Sequence, residues 1–295
     1  MTVSVVIPAR GEESTLPHTL PRVLAAADAI GAEVVVVIPE GETFQRNLIV
    51  AARVRWILID APGKFAALRR GVQNARGDRV IFVDADVVPD PQAFAALDAA
   101  MSAGADVAAG RIVVAPPRAG DPALLRRWAQ ITAATWHDCR QTHRELRWAL
   151  PGALYGLRRE FFPAGEPVIP VLDDVSIGLW AGDHGATIDY VPAATVSVAA
   201  PSSHRGWIRQ KLRTRAGWER LAQLRPSDAA ALESALGWHR RMHVAGDPAG
   251  RLMCAQDRLL RLAVRHLRTD AWDRGEWLPD RTSSVASVEV ADHAR

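Results

Sequence analysis

Four apolar, β-branched runs alternate with segments of helical spacing over the first 85 residues. The runs are VSVVIPAR at residues 3–10, EVVVVIP at 33–39, RVRWILID at 53–60 and RVIFVDA at 79–85. Unbroken apolar runs are typical of strands that are covered on both faces of a sheet. Strands that alternate with helices in this way predict βαβ units, and therefore a mostly parallel sheet with helices on both faces.

Beyond residue 85 the alternation is less regular. The spacing predicts helices from Pro91 and over residues 121–138 and 174–181, with strands at 107–114, 153–157 and 186–192. After residue 201 the chain becomes Arg-rich and helical without further strand signals. We therefore predict a sheet domain at 1–200, an Arg-rich helical region at 201–280 that packs on it, and a poorly ordered polar tail at 281–295.

Composition excludes several classes of protein. A net charge of +3 is too small to indicate nucleic-acid binding by itself. Cys139 and Cys254 are far apart and outside any C-x-x-C pair, which favours reduced thiols over a disulfide framework or a zinc knuckle. The sequence lacks a secretion signal and a run of about 18 apolar residues, so we expect a cytoplasmic protein without a membrane span.

Two carboxylates, Asp84 and Asp86, stand at the end of the fourth run. Ligands bind outside the carboxyl ends of strands in open parallel sheets. Residues two apart on a strand point the same way, so both side chains are expected to reach one spot, where hard oxygen donors suit Mg²⁺ or Mn²⁺. The alternative is that Asp86 or Asp90 caps the helix that starts at Pro91.

Five segments, in this order, resemble the family 2 glycosyltransferases. They are VSVVIPARGEE, GKFAALRRGVQNARGDRVIFVDADVVPDPQAF, GALYGLRREFF, LDDVSIGLWAGDHGATIDYVPAATV and RQKLRTRAGW, and the resemblance covers residues 2–218. It implies the α/β fold called GT-A, a mostly parallel sheet flanked by helices, here with a helical C-terminal extension. It also implies metal-assisted transfer of one sugar, with inversion, from a nucleotide-diphosphate sugar to an acceptor hydroxyl.

The same resemblance implies a donor and metal site. Asp86 would ligate Mn²⁺ or Mg²⁺, and Asp84 would contact the ribose or metal-bound waters. The positions implied to contact the nucleotide are Pro8, Ala9, Arg10, Glu12, Glu40, Lys64, Asp84, Ala85, Arg209 and Arg213. Arg209 and Arg213 share a helix face and carry guanidinium groups suited to phosphate oxygens. For Lys64 and these two arginines, a solvated surface position is the alternative.

Asp173 and Asp174 correspond to the family's acidic pair at a helix start. The resemblance implies that Asp174 is the base that takes the proton of the acceptor hydroxyl. Asp173 replaces the more frequent Glu and has a shorter side chain. Helix capping by Asp173, with Asp174 placed favourably near the helix dipole, is the alternative, and both roles are compatible.

Two departures from the family pattern bear on the substrates. The stretch IPEGET stands where the family often has Asp-Asp-Gly-Ser, so Glu40 would take the base contact. A UDP-sugar is favoured, but guanosine and thymidine donors remain open. Thr214 stands where processive members often carry Trp, which favours transfer of one sugar to a glycan, lipid-linked or small-molecule acceptor.

Other residues have both structural and functional interpretations. Trp128, Trp136 and Trp148 could stack on sugars, although core packing is preferred, and the spacing of His137, Cys139 and His143 matches no metal site. The amphipathic stretch 258–268 is expected to pack on the core, with docking on an anionic membrane as the alternative. The rival functions are a sugar-phosphate nucleotidyltransferase, a phosphatase of the haloacid-dehalogenase type and a non-catalytic nucleotide-binding homologue.

Overall fold

The computed structural model describes residues 2–42, 54–61, 63–165, 167 and 169–264. The strands are β1 Val3–Pro8, β2 Glu33–Pro39, β3 Val54–Ile59, β4 Arg79–Val83, β5 Val88–Pro89, β6 Val107–Val114, β7 Leu154–Arg158 and β8 Ile188–Val198. The helices are α1 Leu16–Asp28, α2 Lys64–Asn74, α3 Ala93–Ser102, α4 Ala123–Thr142, α5 Asp173–Asp183, α6 His204–Leu224, α7 Pro226–Val244 and α8 Pro248–Val264. The predicted tail at 281–295 and residues 265–268 of the amphipathic stretch lie outside the described residues.

The strands form one sheet in the order β3-β2-β1-β4-β7-β6-β8-β5. β3, β2, β1 and β4 run parallel, and β6 runs parallel to β8. β7 is antiparallel to both β4 and β6, and β5 is antiparallel to β8. This arrangement confirms the predicted α/β class with a mostly parallel sheet flanked by helices.

Each face of the sheet carries its own apolar core. On one face, α1 and α3 pack against alternate residues of the central strands, such as Val5 and Ile81. On the other face, α2 and α5 cover the residues that alternate with them, such as Val6 and Phe82. Because both faces are covered, β1 and β4 are buried along their whole length, which explains their unbroken apolar sequences.

The strand before the Asp84–Asp86 pair is shorter than predicted. β4 ends at Val83, so both aspartates lie in the turn that follows, and strand geometry does not align them. Alternating burial nevertheless continues through the turn, because Ala85 is buried between two partly exposed aspartates. Asp90 accepts a hydrogen bond from the Gln92 amide at 2.9 Å, so the turn before α3 is shaped by Asp90.

A helical layer packs beside the sheet. Trp128 of α4 is 2% exposed, donates its indole N–H to the Ala249 carbonyl at 2.7 Å, and packs against Trp207 of α6. These contacts confirm the core-packing interpretation for Trp128. In α8, Leu260 is buried but Leu259 is 67% exposed, so only part of the predicted apolar face is covered by the described residues.

None of the described helices combines the length and the apolar character that crossing a membrane requires.

Candidate active site

Lys64 joins three parts of the chain at the carboxyl end of the sheet. Its Nζ lies 2.7 Å from Oδ1 of Asp84 and 3.8 Å from Oδ2 of Asp173, and it donates to the Gly152 carbonyl at 3.3 Å. Burial opposes the charge of Lys64, but Asp173 and Asp84 outweigh burial and raise its pKa. Lys64 is therefore a partly buried ion-pair residue, and the surface interpretation is wrong.

Asp173 and Asp174 occupy the first turn of α5, as the sequence predicted. The N-cap residue is Leu172, so capping by Asp173 is not the reason for the pair. Oδ2 of Asp173 is buried and has no hydrogen-bond partner among the described residues. Burial raises the pKa of Asp173, although Lys64 opposes the shift. An acidic group with a raised pKa in a cleft is suited to proton transfer near neutral pH.

The two carboxylate oxygens of Asp174 have different surroundings. Oδ1 accepts a hydrogen bond from the Val175 amide at 2.9 Å. Oδ2 faces Gly152, where a Cβ would lie only 2.9 Å from it. Burial, and then the neighbouring Asp173, raise the pKa of Asp174. One oxygen is thus fixed by the backbone, and glycine at 152 leaves room beside the other.

The segment before β7 is held tightly against α5. A Cβ at Gly178 of α5 would lie 1.9 Å from the Trp148 carbonyl oxygen, so only glycine allows this approach. The amide of Asp84 donates to the Ala153 carbonyl at 3.2 Å. Residues 148–153 therefore link the turn after β4 to the start of α5.

Negative charge is concentrated around Glu12, Asp84 and Asp86. Burial, followed by Asp86, raises the pKa of Glu12 to about 7. The carbonyl of Ala85 accepts a hydrogen bond from the Thr19 hydroxyl at 2.6 Å, which anchors the turn that carries both aspartates. A divalent cation would offset this charge, and carboxylates are the donors that Mg²⁺ and Mn²⁺ prefer.

Within the described ranges, no three His, Cys, Asp or Glu side chains converge closely enough to hold a metal ion by themselves. Mg²⁺ commonly uses one or two carboxylates and fills its other positions with waters and substrate phosphates. The residues present therefore fit a metal that binds together with a diphosphate.

A cavity of about 280 Å³ lies at the carboxyl ends of β2 and β3. Its lining includes Arg10, Pro39, Glu40, Asp60 and Gly63. Arg10 and Glu40, both predicted to contact the nucleotide, thus line the same cavity. Pro8 and Ala9 are buried, and the Ala9 amide donates to the Val37 carbonyl at 2.9 Å.

The two arginines predicted on α6 have different positions. Arg213 is partly buried and lies close enough to Asp173 to lower its pKa, whereas Arg209 is exposed. The difference arises because α6 approaches α5 near Gly217, where a Cβ would be 2.4 Å from Leu172 Cγ. Arg209 is two turns away from that contact. The structure brings Arg213 to the candidate site and leaves Arg209 on the surface.

Three residues of the region were not predicted as site residues. Asp60 lines the cavity, and its place after a parallel strand was the signal that could have identified it. Gly152 faces Asp174 and accepts from Lys64. Arg140 of α4 is buried near Asp174 and raises no signal in the sequence, because it looks like one of many arginines on a helix.

The residues His137, Cys139 and His143 make separate contacts. His137 Nδ1 lies 2.7 Å from the Tyr190 hydroxyl, and His143 Nδ1 lies 3.1 Å from Glu145 Oε1. Burial raises the pKa of the Cys139 thiol to about 11, and both cysteines are free. These contacts give the three residues structural roles.

The sequence pattern of one family covers most of the chain. The pattern described as Glycosyltransferase like family 2 matches residues 2–217, which extend from β1 into α6. The chain belongs to glycosyltransferase family 2. This family 2 membership separates the chain from the nucleotidyltransferase and phosphatase alternatives.

Curated relatives of this glycosyltransferase match over a shorter segment. A protein of Shewanella sediminis named undecaprenyl-phosphate 4-deoxy-4-formamido-L-arabinose transferase is 36% identical over 113 residues, covering 35% of this chain and 34% of the relative. A protein of the same name from Pseudomonas aeruginosa is 35% identical over 114 residues, covering 36% and 34%. The match thus spans about a third of each relative.

Solved structures of glycosyltransferases share the fold at low sequence identity. The mannosyltransferase PcManGT of Pyrobaculum calidifontis, in complex with GDP-Man and Mn²⁺, superposes with a TM-score of 0.57 at 17% identity, covering 92% of this chain and 85% of its own. Glucosyl-3-phosphoglycerate synthase of Mycobacterium tuberculosis, with Mn²⁺, UDP and phosphoglyceric acid, gives 0.53 at 19% identity, covering 75% and 78%. These likenesses confirm the predicted GT-A fold.

Proposed function

We propose that this family 2 glycosyltransferase transfers one sugar from a nucleotide-diphosphate sugar to an acceptor hydroxyl, with inversion and with the help of Mn²⁺ or Mg²⁺. The observation that carries the proposal is the joining of Asp84, Lys64 and Asp173 in one ion-pair network, in which Lys64 directly follows Gly63 of the cavity lining. This network supports the proposal because it joins the turn of Asp84, a cation and Asp173, which is the neighbour of the candidate base Asp174.

The donor nucleoside is assigned to the cavity at the ends of β2 and β3. Glu40 and Asp60 supply carboxylates that can accept hydrogen bonds from base N–H groups or ribose hydroxyls, and Arg10 supplies a cation. The folds that share this sheet were solved with GDP-mannose and with UDP. A UDP-sugar is the first donor to test, and a GDP-sugar is the second.

The metal and the diphosphate are assigned to the turn after β4. Asp86 would ligate the ion, and Asp84 would contact the ribose or metal-bound water. When bound, the ion supplies Lewis-acid stabilisation of the charge that develops on the leaving diphosphate. Lys64 and Arg213 approach Asp173 and add positive charge near the same place.

The acceptor is assigned to the side of Asp174 that faces Gly152. Asp174 Oδ2 would take the hydroxyl proton as that oxygen attacks the anomeric carbon, and Asp173 helps to hold the raised pKa that this role needs. The relatives from Shewanella and Pseudomonas carry the name of undecaprenyl-phosphate transferases. A lipid-linked acceptor therefore deserves a direct test, and it would place the enzyme peripherally on the inner membrane face.

A thermal-shift screen tests the donor assignment. The protein is heated with UDP- and GDP-sugars, with and without Mn²⁺, because a ligand that binds the native state raises the melting temperature. We expect one nucleotide class to stabilise the protein more strongly with Mn²⁺ than without it. The Asp86→Asn variant should lose at least tenfold in metal-dependent nucleotide affinity, while Asp90→Asn, four residues along the same segment, should retain it.

Stabilisation by nucleotide that is equal with and without Mn²⁺, in wild type and in Asp86→Asn alike, would show that the metal assignment is wrong. A lack of stabilisation by every nucleotide would contradict the donor assignment itself.

A further inference from the structure

Arg140 is a buried cation without a carboxylate partner in the described part of the chain. Its side chain lies on α4, and the residue is 6% exposed. Nε donates to the Ala149 carbonyl at 2.9 Å, and the guanidinium lies 4.6 Å from the ring centre of Trp136. Burying a guanidinium is costly unless its charge and its donors are matched. No residue among 2–42, 54–61, 63–165, 167 and 169–264 accepts a hydrogen bond from the two terminal nitrogens.

The position of Arg140 connects it with the acceptor side of the site. Ala149, which accepts from Arg140, is three residues before Gly152, which faces the carboxylate of Asp174. Arg140 lowers the pKa of Asp174, whereas Arg213 has the corresponding effect on Asp173. The two arginines therefore act on different members of the acidic pair, and Arg140 acts on the candidate base.

A second arginine lies close to the same place. Arg111 follows a bulge in β6, and its Nε is buried without a hydrogen-bond partner among the described residues. Arg111 and Arg140 both lower the pKa of Tyr190, which burial raises. The Tyr190 hydroxyl lies 2.7 Å from His137 Nδ1. Both arginines thus act electrostatically on the same tyrosine, and neither has an ion-pair partner within the described ranges.

Charges of this kind suit an anionic group on the acceptor. Guanidinium groups bind phosphate through two parallel N–H···O bonds, and a phosphate dianion matches two cations. Burial lowers the pKa of Arg140 to about 10, so this guanidinium stays charged at neutral pH. The diphosphate of the donor is already assigned to Lys64, Arg213 and the turn after β4, which leaves Arg140 for a different anion.

We propose that Arg140, assisted by Arg111, binds a phosphate monoester carried by the acceptor. The proposal rests on the proposed function in one respect, because it takes the Asp174 side as the acceptor side. The phosphate belongs either to a soluble phosphorylated hydroxy acid, whose separate hydroxyl attacks the anomeric carbon and gives its proton to Asp174, or to a polyprenyl phosphate, whose own phosphate oxygen attacks in place of a hydroxyl. In both cases the nucleoside diphosphate leaves as the new bond forms, and the same phosphate group is presented to Arg140.

Paired ligands test the proposal and separate the two sources. Binding of undecaprenyl phosphate is compared with undecaprenol in detergent micelles, and binding of 3-phosphoglycerate is compared with glycerate in buffer. Quenching of tryptophan fluorescence reports binding, because Trp136 is in contact with Arg140. No nucleotide is present, so the result does not depend on the donor assignment.

We expect the wild-type protein to bind the phosphorylated member of one pair at least tenfold more tightly than its unphosphorylated partner. Arg140→Met should abolish that preference, whereas Arg127→Met should keep it. Arg127 is a matched control because it lies on the same helix but is about half exposed. Its Nε lies 2.7 Å from Oδ2 of Asp247, so its charge is paired outside the proposed phosphate site. The pair that shows the preference identifies the source of the phosphate.

A wild-type protein without a phosphate preference in either pair would overturn the proposal, as would an unchanged preference in Arg140→Met. Arg140→Lys covers the case in which the methionine variant does not fold. The lysine keeps the charge but loses the two-pronged geometry, so its preference should fall at least threefold, and an undiminished preference would also overturn the proposal. A far-UV circular dichroism spectrum of Arg140→Met that matches wild type excludes a general loss of structure.

Discussion

The protein buries two groups of charged residues with opposite balances. In the acidic corner, defined by Lys64, Asp84, Asp173 and Asp174, one lysine contacts two aspartates. In the basic clamp, defined by Lys211, Arg215, Arg240, Asp257 and Arg261, one aspartate contacts three arginines. The first group lies at the carboxyl end of the sheet, and the second lies between α6, α7 and α8.

The difference shows how the surroundings assign a role to buried charge. In the acidic corner the pKa values of Asp173 and Asp174 are raised, so the site favours uptake of a proton or of a cation. In the basic clamp, Asp257 accepts from Arg215 at 3.0 Å and from Arg240 at 3.1 Å, and thereby ties three helices together. We propose that the excess of negative charge at the end of the sheet serves the reaction, whereas the excess of positive charge between helices stabilises their packing.

The largest expected effect is on turnover in the acidic corner. Asp174→Asn keeps the shape of the side chain but removes its ability to take a proton. With an acceptor hydroxyl, the transfer rate should fall by about 10²–10⁴-fold, the usual contribution of a general base. Steady-state transfer assays measure the rate, and the nucleotide-dependent thermal shift should stay at the wild-type value. Turnover equal to wild type would remove Asp174 from the role of base.

The next effect combines stability with pH. Lys64→Met leaves Asp84 and Asp173 without their shared cation and should cost about 3 kcal/mol in the free energy of unfolding at pH 8, the lower end for breaking a buried pair. A carboxyl group whose pKa is higher in the folded than in the unfolded state stabilises the fold at low pH. This contribution is lost as the pH rises from the unfolded pKa through the folded pKa. The cost should therefore be smaller at pH 5 than at pH 8, as urea titrations at both values will show. A cost that is the same at both pH values would contradict this electrostatic account.

The basic clamp should respond in stability alone. Asp257→Asn removes the carboxylate that Arg215 and Arg240 share, and we expect a loss of about 2 kcal/mol, as for hydrogen bonds to charged groups. Transfer activity should remain at the wild-type level. Glu233→Gln is the matched control, because Glu233 pairs with Arg261 but is 58% exposed, and it should cost about 0.5 kcal/mol or less. A loss of catalysis in Asp257→Asn at temperatures where it is folded would break the comparison.

The smallest effect concerns Lys211. Burial, and then Arg240, lower its pKa to about 8, although its ammonium lies 4.2 Å from the ring centre of Trp207. Because the folded pKa is below the unfolded value, the unfolded chain binds more protons between pH 8 and about 10.4, and stability from this group rises over that range. Lys211→Met should flatten that part of the pH–stability curve. An identical slope in wild type and variant would show that Lys211 is not desolvated.

The sequence predicted the bounds of the strands better than it predicted which charged residues contact one another. β2 and β6 have the predicted bounds. β2 is a nearly continuous apolar run, and the left-handed glycines Gly31 and Gly41 flank it. Asp173 and Asp174 begin α5 as the family resemblance implied. Local sequence thus specifies strands, helices and the residues at their ends.

Contacts between distant residues were not predictable in the same way. Lys64 reaches Asp173 across more than a hundred residues. Arg140 reaches the carbonyl of Ala149 because the chain turns back between the end of α4 and β7. The turn that holds Asp84 and Asp86 was predicted as strand, because apolar residues continue through it at alternate positions. Such features depend on how elements pack, and periodicity carries no information about that.

The bond from the Asp84 amide to the Ala153 carbonyl has a further consequence. It connects the turn after β4, which is assigned to the donor diphosphate, with Ala153 just before β7. Ala153 follows Gly152, the residue that faces Asp174. Filling either substrate position should therefore alter the other through a shared piece of backbone. Linkage requires the two effects to be equal, so the factor by which a nucleotide changes acceptor affinity must be the factor by which the acceptor changes nucleotide affinity.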